Sequence, residues 1–95
     1  MALHLEWDES NALLSFRKHR VAFEEAATVL GDPLSLTIED PLHFDREDRH
    51  VTIGLSFRGR LLVVAHTQQG EVLRLISARE ATAREKVAYE EGTVG

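Results

Sequence analysis

The chain has no cysteine, which excludes disulfides, thiolate nucleophiles and cysteine-based zinc sites. No apolar run approaches the roughly 18 residues a membrane-spanning helix needs. The start, Met1-Ala2-Leu3-His4-Leu5-Glu6, lacks the pattern of a signal peptide, so a cytoplasmic protein is expected. Positive charge is in deficit: 11 Lys and Arg against 16 Asp and Glu leave a net charge of −5 over 95 residues. That balance argues against a salt-driven coat on DNA or an anionic membrane. It suits a basic protein partner, or solubility alone. The histidines at 4, 19, 43, 50 and 66 show no H-x-x-x-H or H-E-x-x-H spacing, so neither a metal nor another cofactor is expected. P-loop, dinucleotide and G-x-S-x-G patterns are missing too. Without repeats or a linker, residues 1–95 read as one domain with a frayed tail at 91–95.

What is present is a clear alternation of element types. Leu3, Leu5 and Trp7 alternate with polar residues as a short strand. Asp8 then offers an N-cap to a helix whose face carries Ala12, Leu13 and Phe16. A second helix opens near Val21 and stops at Gly31-Asp32-Pro33; Phe23, Ala26, Ala27 and Leu30 form its apolar face. Leu34 to Ile38 reads as a strand, and residues 41–48 as a polar loop. Val51 to Phe57 alternates with period two, Arg58-Gly59 turns the chain, and Leu61 to Ala65 is apolar on both faces, as in a central strand. After a turn at Gln69-Gly70 the last strand spans Val72 to Ser77. Two capping boxes, Ser77-x-x-Glu80 and Thr82-x-x-Glu85, compete to start the closing helix. The class is α+β, in the order β-α-α-β-β-β-β-α, with an antiparallel sheet packed against helices.

Cations gather at element ends: Arg17-Lys18-His19-Arg20, Arg46, Arg49-His50, Arg58, Arg60 and Arg79. Two accounts fit the first group, since cations in a last helical turn also favour the helix dipole. Arg79 is read at a strand-to-helix junction, where a planar fork of donors could hold a phosphate; an ion pair with Glu80 or a cap is the structural account. RNA cleavage demands little of a protein, because the 2′-hydroxyl is its own nucleophile. A base removes its proton, cations stabilise the phosphorane, and an acid assists the departing 5′ oxygen. His43 and Glu47 in the polar loop could serve, and a histidine titrates near neutrality. A merely solvated loop with surface pairing of Arg49 is the other reading.

The ordered set Trp7-Asp8-Glu9, Lys18 to Ala26, Asp40-x-x-His43 with Glu47-Asp48-Arg49, Gly54-x-Ser56-x-x-Gly59-Arg60, and Ile76 to Thr82 with Glu85 and Tyr89-Glu90 resembles the BrnT toxins of bacterial type II toxin–antitoxin modules. The resemblance implies a RelE/ParE-like fold, ribonuclease activity that arrests translation, and neutralisation by a BrnA-like antitoxin whose ribbon-helix-helix part binds operator DNA. It places functional positions on Lys18, Glu47, Arg49 and Arg79, with His19 and His43 also matching. Arg20 stands where a glycine is usual, and Asn11, Ser15 and Gln68 also depart from the pattern. Two functions follow. One is a metal-independent endoribonuclease that leaves 2′,3′-cyclic phosphate ends, in which Lys18, Arg49 and Arg79 converge on one phosphate. The other is a catalytically weak or inactive binding module that acts with its DNA-binding antitoxin in operon autoregulation. A ribosome-associated binder is a third, opposed by the acidic charge.

Overall fold

The apolar-on-both-faces segment takes the middle of a five-stranded sheet. The structure, a computed structural model, describes residues 4–40 and 48–92. Its elements are β1 (His4–Trp7), α1 (Glu9–His19), α2 (Phe23–Val29), β2 (Leu36–Glu39), β3 (Arg49–Leu55), β4 (Leu61–Gln69), β5 (Val72–Glu80) and α3 (Ala83–Glu91). The sheet order is β1-β5-β4-β3-β2. Its β2, β3, β4 and β5 neighbours are antiparallel, but β1 lies parallel to β5, with His4 opposite Val72 and Trp7 opposite Leu75. The sheet is therefore mixed rather than antiparallel throughout. Strands separated by a long connection are free of the direction a hairpin imposes.

One sheet face carries the core, where Leu62, Val64, Leu73, Leu75 and Ala78 meet Val21, Phe23, Ala26 and Val29. Trp7 packs edge-on to Phe23 at 5.9 Å. Gly54 lets α2 approach β3: a Cβ there would lie 2.8 Å from Val29 Cγ1 and 3.2 Å from the Val29 carbonyl.

Of the expected apolar face of α1, only Ala12 packs against the core. Leu13 and Phe16 are exposed, and the buried residue is Ser15. β1 ends opposite Leu75, so the outer edge of β5 needs another partner further on. The Ser15 hydroxyl supplies it, donating to the Ala78 carbonyl at 3.2 Å and accepting from the Ala78 N–H at 3.1 Å. Arg20 ends α1 in the left-handed region (φ 60°, ψ 34°), its N–H bonded to the Phe16 carbonyl at 2.7 Å. A side chain there costs roughly 1–2 kcal/mol, and its guanidinium lies 5.9 Å from the Phe16 ring centroid.

β5 also runs past the expected stop at Ser77. After an irregularity between Ala65 and His66, β4 goes on pairing Val64, Val63 and Leu62 with Ala78, Arg79 and Glu80. Arg79 thus sits inside the strand, and Ser77 is not a helix cap. Thr82 caps α3 instead: its Oγ1 accepts from the Glu85 N–H at 3.2 Å, and Glu85 Oε1 accepts from the Thr82 N–H at 2.8 Å.

His66 is buried beneath this sheet, 2.7 Å from Thr52 Oγ1 and stacked on His50 at 5.9 Å. Burial first, and then the neighbouring His50, push its pKa down to about 4. The unfolded chain binds that proton more readily, so stability is lost as pH falls from about 6.5 toward 4. A shift of this size is worth about 3 kcal/mol. Urea titrations should show His66→Gln losing less stability than the parent between pH 7 and 4.5; identical slopes would exclude His66 as the cause.

Candidate nucleic-acid interface

Alternation along the strands turns Arg49 and Arg74 away from the core. Arg49 stands opposite Thr67, which stands opposite Arg74, while the flanking Leu73 and Leu75 belong to the core. This row lines an open hollow of about 470 Å³ whose wall also includes Asn11, Asp48 and Ile76. A second hollow of about 270 Å³ lies between the end of α1 and β5, lined by Asn11, Ser15, Lys18, His19, Ile76 and Ser77. Asn11 and Ile76 belong to both, so the two hollows adjoin.

Each expected site residue can now be placed. Lys18 is exposed and His19 half-buried in the last turn of α1, where the chain turns back at Arg20. Arg49 opens β3 and donates from Nε to Asp40 Oδ2 at 2.9 Å, with its side chain 19% exposed and that of Asp40 only 7%. Arg74 faces Glu6 across the β1–β5 pair at 3.4 Å. Arg79 donates from both terminal nitrogens to the two oxygens of Glu85, each at 2.8 Å. That pairing holds the Glu85 carboxyl down to about 2, with the Arg79 hydrogen bonds the largest cause. His43 and Glu47 lie outside the described residues.

Lys18, Arg49 and Arg79 do not share one hollow. Arg79 is on the same sheet face as Arg49, but it stands opposite Val63, which is opposite Ile53. Four residues along β3 separate that level from Arg49, about 13 Å at the usual strand rise. Lys18 and Arg49 therefore line separate, adjoining hollows and Arg79 lines neither, so the three do not form a single phosphate-sized cup. Among the described residues, no group of three or more His, Asp or Glu side chains could hold a metal ion. No helix among them is long and apolar enough to cross a membrane.

Arg60 belongs elsewhere. Its Nε donates to Glu25 Oε2 at 2.9 Å, its Nη2 to Glu25 Oε1, and Ser56 Oγ donates to Glu25 Oε2 at 2.7 Å. Glu25 is 4% exposed. The Arg60 hydrogen bonds, outweighing burial, hold its carboxyl below the usual carboxylate range. Arg60 Nη2 also reaches the Arg20 carbonyl at 3.4 Å, linking this ion pair to the exit of α1. One signal was available in the sequence: Glu25 lies four residues before Val29 on a buried helix face, where a carboxylate needs a cation.

The fold is a small α+β domain in which two adjoining surface hollows carry Lys18, His19, Arg49 and Arg74. Among solved structures, the fold is similar to that of the Brucella abortus ribonuclease toxin BrnT, determined at 1.1 Å resolution. The match has a TM-score of 0.67 and 21% identity, and covers 85% of this chain and 99% of that one. Residues 7–85 match the family model for the ribonuclease toxin BrnT of type II toxin–antitoxin systems, and the chain belongs to that family. No curated protein matches it. Membership makes RNA its target and an antitoxin protein its partner.

Proposed function

We propose that this chain is a metal-independent endoribonuclease toxin with a RelE-like fold, acting in the cytoplasm to inhibit translation. A BrnA-like antitoxin with a ribbon-helix-helix part would neutralise it and make the only contact with operator DNA. The observation that carries the reading is the contiguity of the two hollows, which share Asn11 and Ile76 and present Lys18 and His19 on one side, Arg49 and Arg74 on the other. A flexible polyanion can follow such a track, with bases splayed against the open strands.

In the reaction, a base (His19, His43 or Glu47) takes the 2′-hydroxyl proton, and the freed oxygen attacks the adjacent phosphorus. The 5′ oxygen leaves with a proton from an acid, giving a 2′,3′-cyclic phosphate and a 5′-hydroxyl. Arg79 stabilises the phosphorane charge, while Lys18 and Arg49, set apart from it, hold neighbouring phosphates of the same strand. Asp40 accepts from Arg49 Nε, and among the described residues no hydrogen bond takes its terminal nitrogens, which can serve a phosphate. Purified protein should cut RNA in excess EDTA and leave cyclic phosphate ends. Cutting that requires added metal and leaves 5′-phosphates would overturn the mechanism. Folded protein that cuts under neither condition, and allows normal growth when expressed without a partner, would favour the binding-module function, which the ion pairing of Arg49 and Arg79 also fits.

A further inference from the structure

We infer that Glu85 is a positioning residue for the ribonuclease reaction, fixing the Arg79 guanidinium so that its remaining edge is presented to the RNA phosphate. The inference rests on the ribonuclease function proposed above. A guanidinium carries five N–H donors in one plane. In Arg79, Nη1 donates to Glu85 Oε1 and to the Glu80 carbonyl, and Nη2 donates to Glu85 Oε2. These bonds occupy the end of the fork and one side. Nε–H and the second Nη2 hydrogen are left, and they point the same way. They form a second two-pronged edge, the geometry that fits a carboxylate or two phosphate oxygens. Among the described residues nothing occupies that edge. Glu85 can therefore keep its hold while a phosphate is bound, so it acts as a support rather than a competitor.

The support is itself rigid. Glu85 Oε1 also accepts the Thr82 backbone N–H at 2.8 Å, a bond that does not need the Thr82 side chain. The carboxylate is thus anchored to the first turn of α3, and the guanidinium to β5. An arginine with 40% of its side chain exposed would otherwise sample many rotamers. The clamp removes that freedom before RNA arrives, which lowers the cost of organising the transition state.

The test is single-turnover cleavage of an RNA oligonucleotide by the parent, Glu85→Gln, Arg79→Ala, the double variant and Thr82→Ala. RNA affinity and melting temperature are measured for each. Gln keeps the shape of Glu85 but loses the paired charge and one acceptor oxygen. Glu85→Gln should slow the saturated rate roughly 10- to 100-fold and change RNA affinity less than about threefold. The double variant should be no slower than Arg79→Ala, because Glu85 acts through Arg79. Thr82→Ala weakens the α3 cap while sparing the Arg79–Glu85 pair, and should cleave at close to the parent rate. A Glu85→Gln rate equal to the parent would overturn the assignment. So would a Glu85→Gln loss that multiplies with that of Arg79→Ala, or a loss matched by Thr82→Ala at equal destabilisation. If the parent cuts but Glu85→Gln is unaffected, only this inference fails; if the folded parent cuts no RNA, the ribonuclease function fails with it.

Discussion

Arg79→Ala should slow RNA cleavage by about two to three orders of magnitude while leaving the protein folded. The rate follows from the fork of Arg79: losing a preorganised donor to a developing oxyanion typically costs about 2.7–4 kcal/mol. Stability follows from exposure. The Arg79 side chain is 40% exposed and that of Glu85 25%, so solvent screens the pair and its loss removes no more than about 1 kcal/mol. Glu85 also keeps the Thr82 N–H as a partner, so its carboxylate is not stranded. Arg79→Lys separates charge from geometry, because an ammonium restores the charge without the fork; it should recover only part of the rate. Single-turnover kinetics alongside melting curves would decide the matter. A folded Arg79→Ala variant cutting within twofold of the parent would remove Arg79 from the reaction.

The setting of Arg79 was only partly legible in the sequence. Period-two alternation and the Gly59 and Gly70 turns locate β3, β4 and β5, because side chains alternating across a half-buried sheet leave a direct pattern. Asp8 and the Thr82–Glu85 box mark helix starts through short-range hydrogen bonds that depend on spacing alone. Contacts set by tertiary geometry left no such trace. Ser15 looks like an ordinary helix residue until β1 stops short and the Ala78 N–H and carbonyl need a partner. The parallel placement of β1 beside β5 depends on where the chain returns after about 65 residues. Reading β5 as ending at Ser77 put Arg79 at a junction, whereas β4 has residues left to pair and draws the strand on to Glu80. Residue type singled out Lys18, Arg49 and Arg79 only as candidate cations. Their spacing along the face, and the capture of Arg60 by Glu25, required the register of the whole sheet.

That capture gives the largest expected effect on stability. Arg60→Met should destabilise the fold by about 3–5 kcal/mol, since removing one partner of a buried pair strands the other charge. Arg60 keeps 28% of its side-chain exposure whereas Glu25 keeps 5%, so the lower end of that range applies; a melting temperature lower by more than about 10 °C is expected. The pH dependence should weaken as well. In the parent, Glu25 titrates below its ordinary range, so its contribution is present above about pH 4.5 and is lost as acid protonates it. Without Arg60, burial, which raises the carboxyl, is opposed only by the Ser56 hydrogen bond and the more distant Arg58, so the variant should gain less stability than the parent as pH rises above 4.5. Adding Glu25→Met should restore much of the loss, because apolar side chains of similar volume can replace a buried ion pair at little cost. Urea titrations of the three proteins at pH 5 and 8 would test this. An Arg60→Met variant as stable at pH 8 as the parent would mean that Glu25 reaches solvent and that the pair is no lock. The consequence for RNA cleavage follows from one bond: Arg60 Nη2 holds the Arg20 carbonyl, at the turn that fixes where Lys18 and His19 leave α1. The double variant should therefore regain stability but not the full cleavage rate, because the apolar pair restores packing without restoring that contact.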